Sequence, residues 1–453
     1  MALVDLRCGF VLGVAITMVP ITPGLSWGAA ALAQQASYDV VITAGTVVDP
    51  ETNLEAIRNV GIRGGKIAAV SQAPLRGRTT IDAHGLVVAP GFIDIHVHGQ
   101  TIVTDWLSAF DGVTTEIETE AGRYPTSDGY QAGARGGRPL NYGFGTAFAG
   151  ARAEVAAGLL QDGTLTTLLK ALNKATAAQV TGRLPIDRST LILCLTESGL
   201  REGGLGIGMP VGYLTRTNKN EYIGLGVLAR TFNRPVFSHL RHKNPLPDPS
   251  AADRTDTKTA FEGFQEGIEV SARTNGVNVL QHINSTATQD LSRIIAVIEQ
   301  ARSEGIPVVP EVYPWGAGST TVKTDFLEPS NLPLLGIEAS AIRPVNDPTK
   351  RFDSIDAFAQ WRDSVPADTT VIMNQSLPAG IGTAHPRTAA VYSKIFANYV
   401  IGGAGSMARK QQGLDPSLTA TGLRKLSLMQ AVRQSTLLPA SLLEPGTPAA
   451  RNK

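Results

Sequence analysis

The sequence predicts an α/β protein, a closed (β/α)₈ barrel preceded by a small β module. Three observations carry this. Over residues 37–90, short alternating runs follow one another through tight turns, with no helical stretch between them. From residue 92 onward, apolar strand-like runs alternate with helical segments, as a parallel sheet with crossover helices requires. Histidine is scarce, at seven residues, and four of the seven fall at the ends of three such runs. Active sites of these barrels gather at that end of the strands.

Taken in order, residues 1–33 read as a secretory signal. Arg7 is followed by an apolar run from Cys8 to Ile21, then by Ala31-Leu-Ala33 with small residues flanking a cut site. Pro20, Pro23 and the shortness of the run disfavour a membrane anchor. The expectation is an exported chain, periplasmic or secreted, with no membrane span once the signal is removed. Cys194 is then the one cysteine left, which excludes an intramolecular disulfide and a cysteine-rich zinc site. It lies in the apolar run Leu191-Ile-Leu-Cys-Leu195 and is expected to be inert core.

In the β module, Tyr38-Asp-Val-Val-Ile-Thr43 alternates, and Gly64-Gly65 joins two strand-like runs as a hairpin turn. Residues 80–82 and 86–89 continue the pattern up to Pro90-Gly91. The barrel is expected over 91–437, with strands at 92–98, 114–120, 191–195, 236–239, 277–282, 307–312 and 370–373. Helical stretches include 222–232, 291–304 and 355–365, and 243–258, rich in Pro, Asp and Thr, reads as a surface loop.

Composition narrows the function. Forty Lys+Arg against thirty-nine Asp+Glu leave a net charge of +1, so the basic excess that nucleic-acid binding needs is missing. With 17% charged and 43% hydrophobic residues the chain buries a sizeable core. His96-Val-His98 sits at a strand end, and residues two apart on a strand share a face, so the two imidazoles can converge. His239 and His282 end two further strands. Converging neutral imidazoles are what a zinc-type ion needs.

Ala89-Pro-Gly-Phe-Ile-Asp-Ile-His-Val-His98 resembles the leading motif of the amidohydrolase superfamily. Asp111-Gly-Val-Thr-Thr115, Gly203-Gly-Leu-Gly-Ile-Gly208 with Tyr213, His239-Leu-Arg241, His282, Tyr313-Pro-Trp315 and His385-Pro-Arg387 follow in the order of its D-aminoacylase (N-acyl-D-amino-acid deacylase) branch. The resemblance implies a metal-dependent hydrolase of a non-peptide C–N bond, with a TIM-like barrel and a small β-sandwich beside it. It implies Zn²⁺, one or two ions, or another divalent metal.

Carried over, His96 and His98 would hold one metal position, and His239 and His282 its neighbour. The branch often adds a cysteine from the second strand; here Thr114-Thr-Glu-Ile-Glu-Thr-Glu120 offers Glu116, Glu118 and Glu120 on one face. Inward carboxylates are costly without cations. Glu120, nearest the strand end, is the first choice as ligand or bridge, and Glu118 the second. The family's general base, an aspartate ending the last barrel strand, corresponds to Gln375 in Val371-Ile-Met-Asn-Gln-Ser376. A glutamine cannot take a proton from water at useful pH, which opens the alternative of a metal- or ligand-binding homologue without turnover.

Arg387 and His385, with Tyr313 and Ser319, resemble the family's carboxylate-holding groups. They imply a small-molecule partner, a carboxylate-bearing amide such as an N-acyl amino acid. The family also continues into strands that return to the β module, whereas residues 438–453 here read as a truncated tail, so the module is expected to lack those partners and the product to be unstable on that reading.

Overall fold

A computed structural model describes residues 38–171, 180, 182–214, 216–241, 259–287, 290–312, 317–324, 327–333, 335–367 and 369–374, the short strands at 390–391, 395–396 and 399–400, and residues 428–443. The expected signal and the 243–258 loop lie outside them.

The first strands form one five-stranded sheet: β1 (Tyr38–Asp49), β2 (Leu54–Arg63), β3 (Lys66–Ser71), β4 (Gly77–Asp82) and β5 (Val87–Val88), ordered β3-β2-β1-β4 with β5 also on β1. Gly64 and Gly65 close the β2–β3 hairpin at φ 58° and 72°, as the turn demands of glycine. The described residues divide into two compact units, one of Tyr38–Thr43 with Arg58–Asp82, the other of Ala44–Ile57 with those from Ala83 onward.

In the larger unit, eight strands form one parallel sheet. They are β6 (Phe92–Asp94), β7 (Val113–Arg123), β8 (Asn141–Ala147), β9 (Ile207–Met209), β10 (Val236–Ser238), β11 (Asn278–Leu280), β12 (Val308–Val312) and β16 (Ala390–Val391), in the order β6-β7-β8-β9-β10-β11-β12-β16. The helices between them are α1 (Ile102–Phe110), α2 (Thr126–Ala134), α3 (Phe148–Ala157), α4 (Leu165–Ala171), α5 (Ile186–Arg201), α6 (Lys219–Thr231), α7 (Ala260–Thr274), α8 (Ile283–Ala287) and α9 (Leu291–Ser303). After α10 (Ile355–Ser364) come α11 (Leu428–Ser435) and α12 (Leu437–Leu443), and α11 packs on both β6 and β16, the two ends of the sheet. The curled parallel sheet is the barrel the alternating pattern predicts. Residues 438–443, read as tail, belong to α12, and Leu442 is buried.

One layer positions the site. Phe237, Val279 and Val309 are in register across β10, β11 and β12, and together with Ile95 and Leu442 they form a buried apolar cluster. Each such side chain contributes about 1.5–3 kcal/mol by leaving water. Two residues further along the same face stand His239, Gln281 and Glu311. A polar layer therefore sits directly above an apolar one.

Two expected strands are corrected. Residues 191–195 lie inside α5, which buries Ser189, Ile192, Thr196 and Gly199 at helical spacing and leaves Cys194 exposed rather than in the core. A run of five apolar residues fits a strand or a buried helix equally well. The place in the sheet goes to glycine-rich β8 and to β9, which carry few branched side chains to advertise them. Residues 370–373 lie in β15 (Thr370–Asn374), which pairs antiparallel with β13 (Ala317–Thr321) and β14 (Ile342–Pro344) in a separate sheet. The stretch leading to Gln375 is thus not the last barrel strand; β16, on β12, occupies the end of the parallel sheet.

Candidate metal centre

Four imidazoles and one carboxylate meet at the strand ends. Glu120, buried near the end of β7, turns Oε2 to His96 Nε2 at 2.8 Å and His98 Nε2 at 2.7 Å. Its other oxygen, Oε1, meets His282 Nε2 at 3.1 Å and His239 Nδ1. Two triads result, His96–His98–Glu120 and Glu120–His239–His282, and within each the donor atoms lie within 4.8 Å of one another. All five side chains are buried.

The local backbone explains the convergence. His96 and His98 follow β6 two residues apart, and their rings stand edge to face with centroids 4.9 Å apart. His239 is two residues beyond Phe237 and shares its inward face. His282 should point outward by the same alternation, since Gln281 faces in, its amide 3.2 Å from Thr119 Oγ1. A φ of 36° at His282 breaks the alternation and turns its ring inward as well. Strand β7 is irregular too: its register against β8 shifts between Glu118 and Arg123. At Gly122, φ is 69° and an added Cβ would sit 2.7 Å from the Gly145 carbonyl oxygen, so the shift depends on glycine.

Further carboxylates stand behind the rings. Glu311 Oε1 is 2.7 Å from His96 Nδ1, and Glu118 Oε2 is 2.7 Å from His98 Nδ1, with Arg123 Nη1 3.7 Å from Glu118. Burial opposes charge on His96, but Glu311 and Glu120 push its pKa up to about 10. Burial by itself would raise Glu120; His96 and His239 hold it well below the ordinary carboxylate range. Positive charge is what this cluster of acids is built to receive. The donor set of imidazole nitrogens and carboxylate oxygens suits zinc and similar divalent ions, so the residues fit the metal that the sequence implies.

No family model matches the chain. Among curated proteins it is 42% identical over 96 residues to a dihydroorotase of Streptococcus pneumoniae, a match covering 19% of this chain and 23% of that protein. It is 32% identical over 100 residues to an allantoinase of Salmonella choleraesuis, covering 20% and 22%. The chain thus spans under a quarter of the length of these curated relatives. Solved structures match far more of it. A D-aminoacylase that defines a subset of amidohydrolases superposes with TM-score 0.67 at 18% identity, over 90% of this chain and 88% of that one. The chain has the amidohydrolase fold. The N-acyl-D-glutamate deacylase of Bordetella bronchiseptica, solved with zinc and a phosphonate inhibitor, superposes with TM-score 0.62 at 18% identity, over 91% and 89%.

On this amidohydrolase fold the sequence-derived residues have different fates. His96, His98, Glu120, His239 and His282 come together at one point. Glu118 lies one layer out, on His98, while Glu116 is buried elsewhere, 3.7 Å from Arg138 and beside Asp105 and Ser108 of α1. Shared parity on β7 did not give the three glutamates a shared role. Ser319 is buried on β13, where its hydroxyl donates to the Val371 carbonyl at 3.2 Å. Tyr313, Gln375, His385 and Arg387 lie outside the described residues. Arg241 pairs with Glu266 at 2.6 Å, tying the end of β10 to α7.

Sequence reading missed Glu311 and Gln281. Both had a signal: each is a polar residue two positions beyond an apolar barrel residue, on the same strand face. Asp94, whose carboxylate accepts from the His96 amide at 3.1 Å, was quoted within the leading motif without a role.

Proposed function

We propose that this chain is a metal-dependent hydrolase of a non-peptide C–N bond, acting on a small carboxylate-bearing amide of the N-acyl amino acid class. The observation that carries the reading is Glu120, each of whose oxygens faces a separate pair of imidazoles. One carboxylate spanning two triads is the arrangement of a bridging ligand. The substrate class follows what the D-aminoacylase and N-acyl-D-glutamate deacylase structures are named for.

His96, His98 and Glu120 would hold one zinc ion, and Glu120, His239 and His282 a second. Bound there, zinc supplies a Lewis acid for the scissile carbonyl and for a water nucleophile. The chain's own residues do the rest. Burial of the triads excludes bulk water and strengthens every charge interaction among them. Tyr213, its ring centroid 4.5 Å from that of His239 and its hydroxyl 3.3 Å from Thr320 Oγ1, fixes the His239 ring. Glu118 is occupied on both oxygens, accepting from Ala121 N at 3.0 Å and meeting His98, so it is a poor proton acceptor for water.

Purified chain is therefore expected to hydrolyse N-acyl-D-amino acids with loss on chelation and recovery on adding zinc. A folded, zinc-loaded protein without amidase activity would overturn the hydrolase reading and leave a metal-binding homologue without turnover. The reading also takes the chain to be exported, on the strength of Ala31-Leu-Ala33; a mature terminus at Gln34 is the expected result of N-terminal sequencing.

A further inference from the structure

Helix α1 packs with its polar side inward. Ile102, Val103, Trp106, Leu107 and Phe110 fall at helical spacing on one face, and Thr104, Asp105 and Ser108 on the opposite one. A surface helix ordinarily buries its apolar face. In α1 the polar set is buried and the apolar set stands in solvent, from 46% exposed at Ile102 to 87% at Phe110. Specific contacts hold the helix this way round. Arg138 grips the buried Asp105 carboxylate through both Nε and Nη2, the latter at 2.5 Å, and the Thr104 hydroxyl donates to the Gly99 carbonyl. Asp105 and Arg138 are both almost wholly out of water. Turning α1 over to bury its apolar stripe would separate a buried ion pair, which is strongly unfavourable. The apolar face is a fixed part of the surface.

Its size and chemistry say what covers it. The stripe is about 13 Å long and carries two neighbouring aromatic rings, Trp106 and Phe110, with centroids 6.4 Å apart. It leaves on the order of 500 Å² of apolar surface open, the upper end of what a monomer tolerates. From Thr101 to Phe110 the only charged side chain is Asp105, on the buried side. A helix that lies on a membrane carries lysine and arginine opposite its apolar face, and α1 has neither. Unlike protein partners are selected by complementary charge, which this face does not offer. A two-fold contact asks only that a patch complement itself, and an uncharged apolar stripe does so. Two such stripes together reach about 1,000 Å², the area a specific interface needs. We propose that α1 is a homodimer contact, with the helices of two copies antiparallel across a two-fold axis near Trp106. The inference is independent of the metal-centre reading.

The test is sedimentation velocity of the purified full chain across the micromolar range, where the mass is expected to rise to that of two copies. Trp106→Glu sets like charges against each other at the axis and is expected to weaken pairing at least about thirtyfold. Phe110→Ser weakens it less and keeps the proposal testable should Trp106→Glu fail to fold. Both variants are expected to keep the wild-type far-UV circular dichroism and the wild-type metal content, whatever its value. Mixing Trp106→Glu with Trp106→Lys is expected to restore part of the pairing, which a loss of fold would not allow. A wild type that stays single-copy throughout overturns the proposal, as does a pair that survives both variants unchanged. A single-copy wild type that floats with phosphatidylcholine vesicles overturns it in favour of a lipid surface.

Discussion

Glu120 shows what a single buried carboxylate does when four imidazoles surround it. Its charge is sustained by His96 and His239 against the cost of burial, and Glu120→Gln removes that charge from both triads at once. The variant is expected to bind zinc at least about a hundredfold more weakly, read by metal analysis after dialysis. Glu116, on the same strand, has a different fate. Burial pushes its pKa up to about 8, against a Ser108 hydrogen bond and with Asp94 and Asp105 adding to the rise. The folded state therefore holds a proton that the unfolded chain releases near the usual value of 4.5. Its contribution is full below the unfolded value and is lost as pH climbs through about 8, with a slope approaching ~1.4 kcal/mol per pH unit. Urea unfolding of Glu116→Gln should show a flatter decline between these limits than wild type; identical profiles would show that Glu116 ionises freely in the fold. Strand parity in the sequence puts His96 and His98 on one face, and the structure brings both to one point with Glu120 and with His239, which ends its own strand. His282 was found by type and position, since nothing in the sequence announces a φ of 36°.

At the scale of elements, strand ends rather than strands make the site. The register shift near the end of β7 depends on Gly122, where φ is 69° and an added Cβ would meet the Gly145 carbonyl. Gly122→Ala is expected to cost about 1–2 kcal/mol from backbone conformation alone, seen as a lower melting temperature, with weaker zinc retention because Glu118 and Glu120 immediately precede it. Helix α7 starts at a capping box in which the Thr259 hydroxyl accepts from Glu262 N and the Glu262 side chain accepts from Thr259 N. Losing the hydroxyl in Thr259→Ala should cost about 1 kcal/mol, by thermal denaturation, without changing zinc content. Elements with strong alternation or branched residues, such as β7, β10 and β12, were legible in the sequence. Glycine-rich β8 was not, and residues 191–195 were misread because so short a run carries no usable period. Residues 370–374 had the texture of a barrel strand; their antiparallel partners β13 and β14 are a matter of tertiary pairing that local pattern does not encode.

For the whole molecule, the barrel class was legible because strand and helix alternate over hundreds of residues, and the scarcity of histidine singled out the four imidazoles that the structure brings together. What local sequence could not supply was the surrounding shell: Glu311 and Gln281 come from strands far from β6 in the chain and meet His96 only when the sheet curls. Coupling between ion and fold follows from the same geometry, because both triads draw on β7, the segment after β6, and the ends of β10 and β11. An ion that binds the folded state alone, present at about a thousand times its Kd, adds about 4 kcal/mol, so chelation should lower the melting temperature and zinc should restore it. The most direct test is metal analysis of the purified, folded chain beside Glu120→Gln. One to two equivalents of zinc or another divalent ion in the wild type, lost in the variant, is the expected result. A folded wild type that carries no metal and takes up none when zinc is supplied would contradict the account.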